Sequence, residues 1–407
     1  MKILHVLAQL PSKTGSGIYY TNVVKGLSSE DNACVYGLIP DIEVDFLPIA
    51  ESNHYAVPFP NQRCAFDLPG MSDVMPYPST VYSEMSTEMI QQWQQVFSEK
   101  VDAAVSDFQP DVILCHHLWF LTTLVSQKYK SHIPIIAFCH GTDLRQAKQH
   151  PDLLERYCDV SGVSHIFALS DDQLADISKI YDYPESRLSV LGGGYDPEIF
   201  FHSDQVGRES DTIELVFAGK LSRAKGVLEL LAVFDQIAPN FPDVHLSLIN
   251  SANEEMEQII GEYLNRHRQI KYFNVKNQQI LGQVFRQSDL FVLPSYYEGL
   301  GLTAIEALAS GLLTVTTDIA ALQHQLGPAV NQSGAIEYIA LPRLFNQDEP
   351  YEEDLPAFKE RLKEALIRQI ERVKSGYRIS EGVRSEIEKS AWPALIKKIS
   401  TQIERTL

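Results

Sequence analysis

Short runs rich in Val, Ile and Leu alternate with helix-length stretches along almost the whole chain, and they do so in two successive series. The first contains KILHVLAQL, DVILCHHL, IPIIAFCHG, SHIFALS and SRLSVLGGG; the second contains TIELVFAGK, VHLSLIN, IKYFNV, DLFVLPS, LLTVTTD and AIEYIAL. Short, near-continuous apolar runs of this kind suit strands buried on both faces, which need helices above and below them. The pattern predicts an α/β chain with doubly wound parallel sheets. Between the series lies GGGYDPEIFFHSDQVGRESD, where glycines, prolines and charges replace the periodicity, so a domain boundary is expected near residues 195–210. The length of 407 residues suits two domains of ordinary size.

Residues 45–80 break the alternation. Pro48, Pro58, Pro60, Pro69, Pro76 and Pro78 interrupt aromatic and acidic residues there, a composition that suits a flap over a cleft or a flexible loop, the aromatics favouring a partly ordered flap. The segments PAFKERLKEALIRQIERVKSGYR and RSEIEKSAWPALIKKISTQIERTL carry apolar residues three and four apart and are expected as surface helices. The 34 Lys and Arg against 53 Asp and Glu leave a formal charge of −19, which argues against nucleic acid as a partner. The opening MKILHVLAQLPSKTGSG lacks the features of a signal peptide, and no apolar run reaches the roughly 18 residues of a spanning helix. A cytoplasmic protein is expected, with peripheral contact at a membrane left open. The five cysteines show no CxxC spacing and read as reduced thiols. Cys115-His116 and Cys139-His140 invite a zinc reading, but neighbouring side chains on a strand point to opposite faces, so no metal site is expected.

Ligands of open α/β sheets bind outside the carboxyl ends of the strands, so the residues that follow each strand are the candidates. Thr14-Gly15-Ser16-Gly17 leads from the first strand into a helical pattern; its amides suit an anion, and a tight turn without a ligand explains it equally. His140-Gly141-Thr142-Asp143 follows another strand and reads either as a packed, capping run or as part of a site. In GKLSRAKG (219–226), Lys220, Arg223 and Lys225 place three cations within six residues of an acidic chain, which suits a phosphate as well as a solvated turn. In SYYEGLGLTAIEALASG (295–311), Glu298 precedes a helix and Glu306 lies about one turn inside it. Gly299, Leu300 and Gly301 then sit at the positive end of the helix dipole. Two carboxylates flanking an anion-binding helix start suit a nucleotide sugar, with ribose on one side and a hexose on the other. Surface or capping roles for both acids are the competing explanation.

Taken in order, these motifs resemble glycosyltransferase family 4. Glu298 and Glu306 fit its Glu-x7-Glu motif within PSYYEGLGLTAIEALASG, and HGTD, the glycine turn at residues 15–17, VLGGGYDPEIF and GKLSRAKG follow in register along nearly the whole chain. The resemblance implies the GT-B architecture, two Rossmann-like domains facing a cleft. Residues 1–200 would bind the acceptor and residues 205–385 the donor, and a terminal helix at 386–407 would pack back on the first domain. It implies retention of anomeric configuration and an enzyme that needs neither metal nor cofactor. Lys225 would neutralise the donor diphosphate, together with Arg223 and with Lys220, which stands where the family usually has arginine. Glu306 would bind ribose, Glu298 the donor sugar, and His140 would lie near the reacting carbon. Gly15, Ser16 and Gly17 would approach the diphosphate from the first domain, and His117 and Asp143 are candidates for acceptor contacts.

The expected donor is a UDP- or GDP-linked sugar, UDP favoured, and the acceptor a glycan, a lipid-linked carrier, a protein or a small molecule. No Asp-x-Asp triplet of the metal-chelating sort occurs. Ser251-Ala252-Asn253 and Ile319-Ala320-Ala321 replace the glycine-containing turns usual in the family, so donor specificity is not inherited from the pattern. Two competing readings follow: a catalytically silent GT-B subunit that supports a partner transferase, and a sugar-nucleotide epimerase. Self-association, or assembly with such a partner, stays open.

Overall fold

The computed structural model describes residues 1–11, 14–27, 31–42, 47–72, 75–203, 212–345 and 348–407. The chain forms two compact units, one of Met1–Gly193 with Trp392–Leu407 and the other of Gly194–Ala391. The division comes ahead of the expected 200/205 boundary, and residue 205 itself lies outside the described residues. The chain returns to the first unit at Trp392, six residues later than the 386 expected.

The first unit is built on strands β1 (Ile3–Leu7), β2 (Asn32–Leu38), β3 (His54–Pro58), β4 (Val112–His116), β5 (Ile135–Phe138), β6 (His165–Ala168) and β7 (Leu188–Val190). They form one sheet in the order β3-β2-β1-β4-β5-β6-β7, parallel throughout. Two of these strands escape the apolar pattern. In β2, NACVYGL, Asn, Tyr and Gly interrupt a run that is nonetheless buried over six of its seven positions. β3 falls inside residues 45–80, so that segment is not simply a flap: it supplies the edge strand of the sheet. An edge strand tolerates Pro58 because its outward side needs no ladder partner. The segment also buries Phe59, Leu68 and Tyr77 in the unit's core, while residues 45, 46, 73 and 74 of it lie outside the described residues.

The second unit contains all six expected strands, β8 (Ile213–Ala218), β9 (Val244–Ile249), β10 (Ile270–Phe273), β11 (Leu290–Leu293), β12 (Leu313–Thr317) and β13 (Ile336–Ile339). Their order is β10-β9-β8-β11-β12-β13, again all parallel. In both sheets the winding reverses beside the first strand, between β1 and β4 and between β8 and β11. Loops leaving the two central strands diverge there and open a crevice at the carboxyl edge. Among the described residues, no helix is long and apolar enough to cross a membrane.

The terminal helix Trp392–Thr406 repeats apolar residues at helical spacing and buries Trp392, Leu395, Ile399 and Ile403. They join Tyr19 and Val23 of the helix Gly15–Gly26 and Leu114 and Phe138 of the sheet, with Trp392 edge-on to Tyr19 at 4.8 Å between ring centroids. The first unit is thus closed by residues from the far end of the sequence. Ile399→Ala, which empties a fully buried position, is expected to lower the stability of this unit by about 2–5 kcal/mol. Denaturant unfolding measures it, and a loss below about 0.5 kcal/mol, the scale of surface substitutions, would contradict the packing role of the helix.

Candidate active site

In the second unit the switch point is made by the loops after β8 and β11, and one glycine joins them. Gly226 has φ +66°, and a Cβ placed on it would lie 2.1 Å from the carbonyl oxygen of Pro294. Only glycine fits both the left-handed backbone and that approach. The junction brings together residues far apart in sequence. Lys225 Nζ donates to Glu298 Oε1 at 2.8 Å and to the Tyr297 carbonyl at 3.3 Å, and Ser295 Oγ donates to the same Glu298 oxygen at 2.9 Å. Ser295 is itself held, because Thr317 Oγ1 donates to its carbonyl at 2.7 Å.

The helix Leu302–Ala309 starts beside this group from Gly301, at φ +72°, without a side-chain cap. The helix start lies at the positive end of the dipole, and of its first amides that of Ala304 donates to the Gly301 carbonyl at 2.9 Å. Glu306 lies inside it, and burial alone pushes its carboxyl up to about 8. Gly299 is exposed and Leu300 buried. The three cations of GKLSRAKG differ in their engagement. Arg223 pairs with Glu255 at 2.7 Å, Lys225 pairs with Glu298, and the exposed Lys220 side chain has no ion pair among the described residues. In place of the glycine turns, Asn253 caps the helix Glu254–Arg266, and Leu221 bridges to Ala252. Ile319 stands at the start of the helix Ala320–Asn331.

In the first unit, Thr14 caps the helix Gly15–Gly26, its Oγ1 accepting from Gly17 N at 3.0 Å. Gly15 is exposed with open space around its Cβ position, and Ser16 Oγ lies 3.2 Å from Thr14 Oγ1. On the other side of the switch point the geometry centres on Asp143, which is fully buried. Its Oδ1 accepts from the Leu118 amide at 2.9 Å and bonds His117 Nδ1 at 3.0 Å, while Oδ2 accepts from the His140 amide. His117 adopts φ +73°, a left-handed conformation unusual for a non-glycine residue and typical of strained functional positions. The imidazoles of His117 and His140 lie 4.8 Å apart, each with an Nε2 that has no protein partner.

Behind them, His116 stacks on His140 at 5.7 Å and on Phe138 at 4.5 Å, and Tyr19 lies edge-on to His140 at 5.3 Å. Burial, reinforced by the neighbouring His117, holds His140 down at about 3, and burial drives His116 well below the ordinary histidine value. These rings are neutral at physiological pH and offer one N–H and one lone pair each. Roles for Ser295, Thr317 and Tyr19 do not follow from the sequence, which points to His116 only beside Cys115 and His117; for Ser295 its place three residues before Glu298 is a usable local signal. Among the described residues, no three His, Cys, Asp or Glu side chains are grouped as metal ligands.

Comparison with known proteins identifies the family. The family described as Glycosyltransferase Family 4 matches residues 78–199, and that described as Glycosyl transferases group 1 matches residues 198–338. The chain is 27% identical over 191 residues to mannosylfructose-phosphate synthase of Agrobacterium fabrum, covering 43% of this chain and 41% of that protein. It is 24% identical over 225 residues to D-inositol 3-phosphate glycosyltransferase of Corynebacterium urealyticum, covering 50% and 53%. The matches span about half the length of these relatives. Among solved structures, sucrose-phosphate synthase (tll1590) from Thermosynechococcus elongatus superposes with a TM-score of 0.65 at 14% identity, over 100% of this chain and 99% of that one. Anabaena Alr3699/HepE in complex with UDP gives the same TM-score and identity over the full length of both chains. With two glycosyltransferase family models matched one after the other over residues 78–338 and the two-unit fold shared with these structures, the chain belongs to the glycosyltransferases of family 4, of GT-B architecture.

Proposed function

We propose that this glycosyltransferase moves a sugar from a UDP-linked donor to an acceptor hydroxyl with retention of configuration, and that the second unit carries the donor. The observation that supports this most is the convergence, at one switch point, of a cationic loop, a helix start without a side-chain cap and the carboxylates Glu298 and Glu306. The solved neighbour Alr3699/HepE has been crystallised with UDP and with UDP-glucose, which favours uridine over guanosine. Lys220 and Lys225 would face the diphosphate with the amides at the start of the helix Leu302–Ala309, Arg223 adding charge at the rim. Glu306 would take the ribose hydroxyls and Glu298 the hydroxyls of the sugar.

In the transfer step the bond between C1 and the diphosphate oxygen breaks as the acceptor oxygen bonds C1 on the same face. The acceptor's proton passes to the departing phosphate. Cations and helix amides stabilise the growing charge on the leaving group, and no covalent sugar–enzyme bond is needed. The first unit would contribute the amides of Gly15, Ser16 and Gly17 as an anion contact. The neutral His140 would donate a hydrogen bond near the reacting carbon, and the His117–Asp143 pair would face the acceptor, which is a glycan, a lipid-linked carrier, a protein or a small polyol.

The reading is tested by incubating the protein with UDP- and GDP-sugars against an acceptor panel, with mass spectrometry following donor consumption. Release of UDP is expected, and Glu298→Ala should lower turnover by about 10²-fold or more. Absence of nucleoside diphosphate release under every condition, or full turnover by Glu298→Ala, would contradict it. Glu306 gives a pH-dependent test. Its folded carboxyl stands at about 8 against an ordinary 4.5, so it is largely protonated at pH 7 in the free protein. Ribose hydroxyls donate to the ionised form and pull it down. UDP binding at pH 7 should therefore release close to one proton, and affinity should rise with pH until it levels near 8. Calorimetry in buffers of different ionisation enthalpy measures the proton, which Glu306→Gln should abolish; an unchanged release in that variant would exclude Glu306 as its source.

A further inference from the structure

The cation best placed for the diphosphate is already occupied. Lys225 Nζ is bonded to Glu298 Oε1 at 2.8 Å and to the Tyr297 carbonyl at 3.3 Å, and the two charged side chains are only 27% and 18% exposed. The carboxylate meant for the sugar is occupied at the same oxygen, which receives Ser295 Oγ at 2.9 Å as well. We propose that the Lys225–Glu298 ion pair is a place-holder displaced by the donor diphosphate, and that Ser295 is the positioning residue that keeps Glu298 at the sugar once Lys225 has turned away. The inference rests on the donor reading above.

The exchange follows from the chemistry of the three groups. A diphosphate brings more negative charge and more acceptor oxygens than one carboxylate, so it competes for an ammonium that cannot satisfy both in full. Losing Lys225 leaves Glu298 with an unpaired charge in a partly buried loop. That charge is costly until hydroxyl donors replace the ammonium, and the donor sugar carries them on the same molecule as the diphosphate. Ser295 prevents the released carboxylate from swinging to water, since the residue is buried and its backbone is fixed by Thr317. The two ends of the donor are therefore recognised in a linked way: the diphosphate end frees the residue that reads the sugar end. UDP by itself must break the ion pair without that compensation.

Calorimetric titration with UDP, combined with UDP-glucose consumption, tests this on the full chain. Glu298→Gln keeps the shape and the Ser295 hydrogen bond but removes the competing charge. It should bind UDP about five- to tenfold more tightly than the parent protein while losing donor consumption. Adding Lys225→Met to that variant should remove the gain. Ser295→Ala should keep UDP affinity within about twofold and the KM for UDP-glucose near the parent value, while kcat falls roughly tenfold. Ser295→Thr, which restores the hydroxyl, should recover kcat. Equal thermal unfolding of the variants separates these effects from misfolding. If UDP binds the parent protein but Glu298→Gln binds it equally or more weakly, the place-holder is overturned and the donor reading stands. If UDP binds neither protein and no donor is consumed, the donor reading falls and the place-holder with it. A Ser295→Ala variant with unchanged kcat would remove the positioning role.

Discussion

The approach of Gly226 to the carbonyl oxygen of Pro294 is the contact on which the candidate site of the second unit depends. It locks the loop after β8 against the loop after β11, and Lys225 and Ser295 are the immediate neighbours of those two residues. A side chain at 226 would push the loops apart and separate Lys225 from Glu298. The second constraint is the row of threonines on β12. Thr316 Oγ1 donates to the Leu293 carbonyl and Thr317 Oγ1 to that of Ser295, at 3.1 and 2.7 Å, so buried hydroxyls tie the end of β11 to its neighbour strand. Strand ends tied in this way fix the backbone from which Ser295 and Glu298 reach Lys225.

The formal charge of −19 becomes informative only when resolved into pairs. Of the three cations in GKLSRAKG, two are neutralised within the second unit, and the exposed Lys220 is left to present the open positive charge. In the first unit, burial holds His116 and His140 neutral beside one buried carboxylate, Asp143, which is bonded to two backbone amides and to the His117 imidazole. The polar groups at the two switch points thus differ in kind, cations paired with carboxylates in the second unit and buried imidazoles around one carboxylate in the first.

Much of this was legible in the sequence because the physical signals were local. All six strands of the second sheet, the helix start after Gly301 and the loop cations follow from apolar runs and from Gly and Lys placement. Failures came where the signal was not local. β2 was hidden because Asn32, Tyr36 and Gly37 dilute its apolar pattern, although neighbouring strands and helices bury it. β3 was hidden because proline content reads as loop, yet an edge strand accommodates a proline at its end. The Lys225–Glu298 pair joins residues 73 apart and the His117–Asp143 pair residues 26 apart, separations at which spacing carries no information. Three cations in one loop resembled one anion site; that Glu255 draws Arg223 aside could not be read from composition.

The most direct test of the donor site is a crystal structure of the protein with UDP bound. The diphosphate is expected against Lys220 and Lys225 at the start of the helix Leu302–Ala309, with the ribose on Glu306 and the Lys225–Glu298 ion pair broken. A nucleotide bound away from the β8–β11 switch point, or one bound there with Lys225 still paired to Glu298, would contradict the assignment.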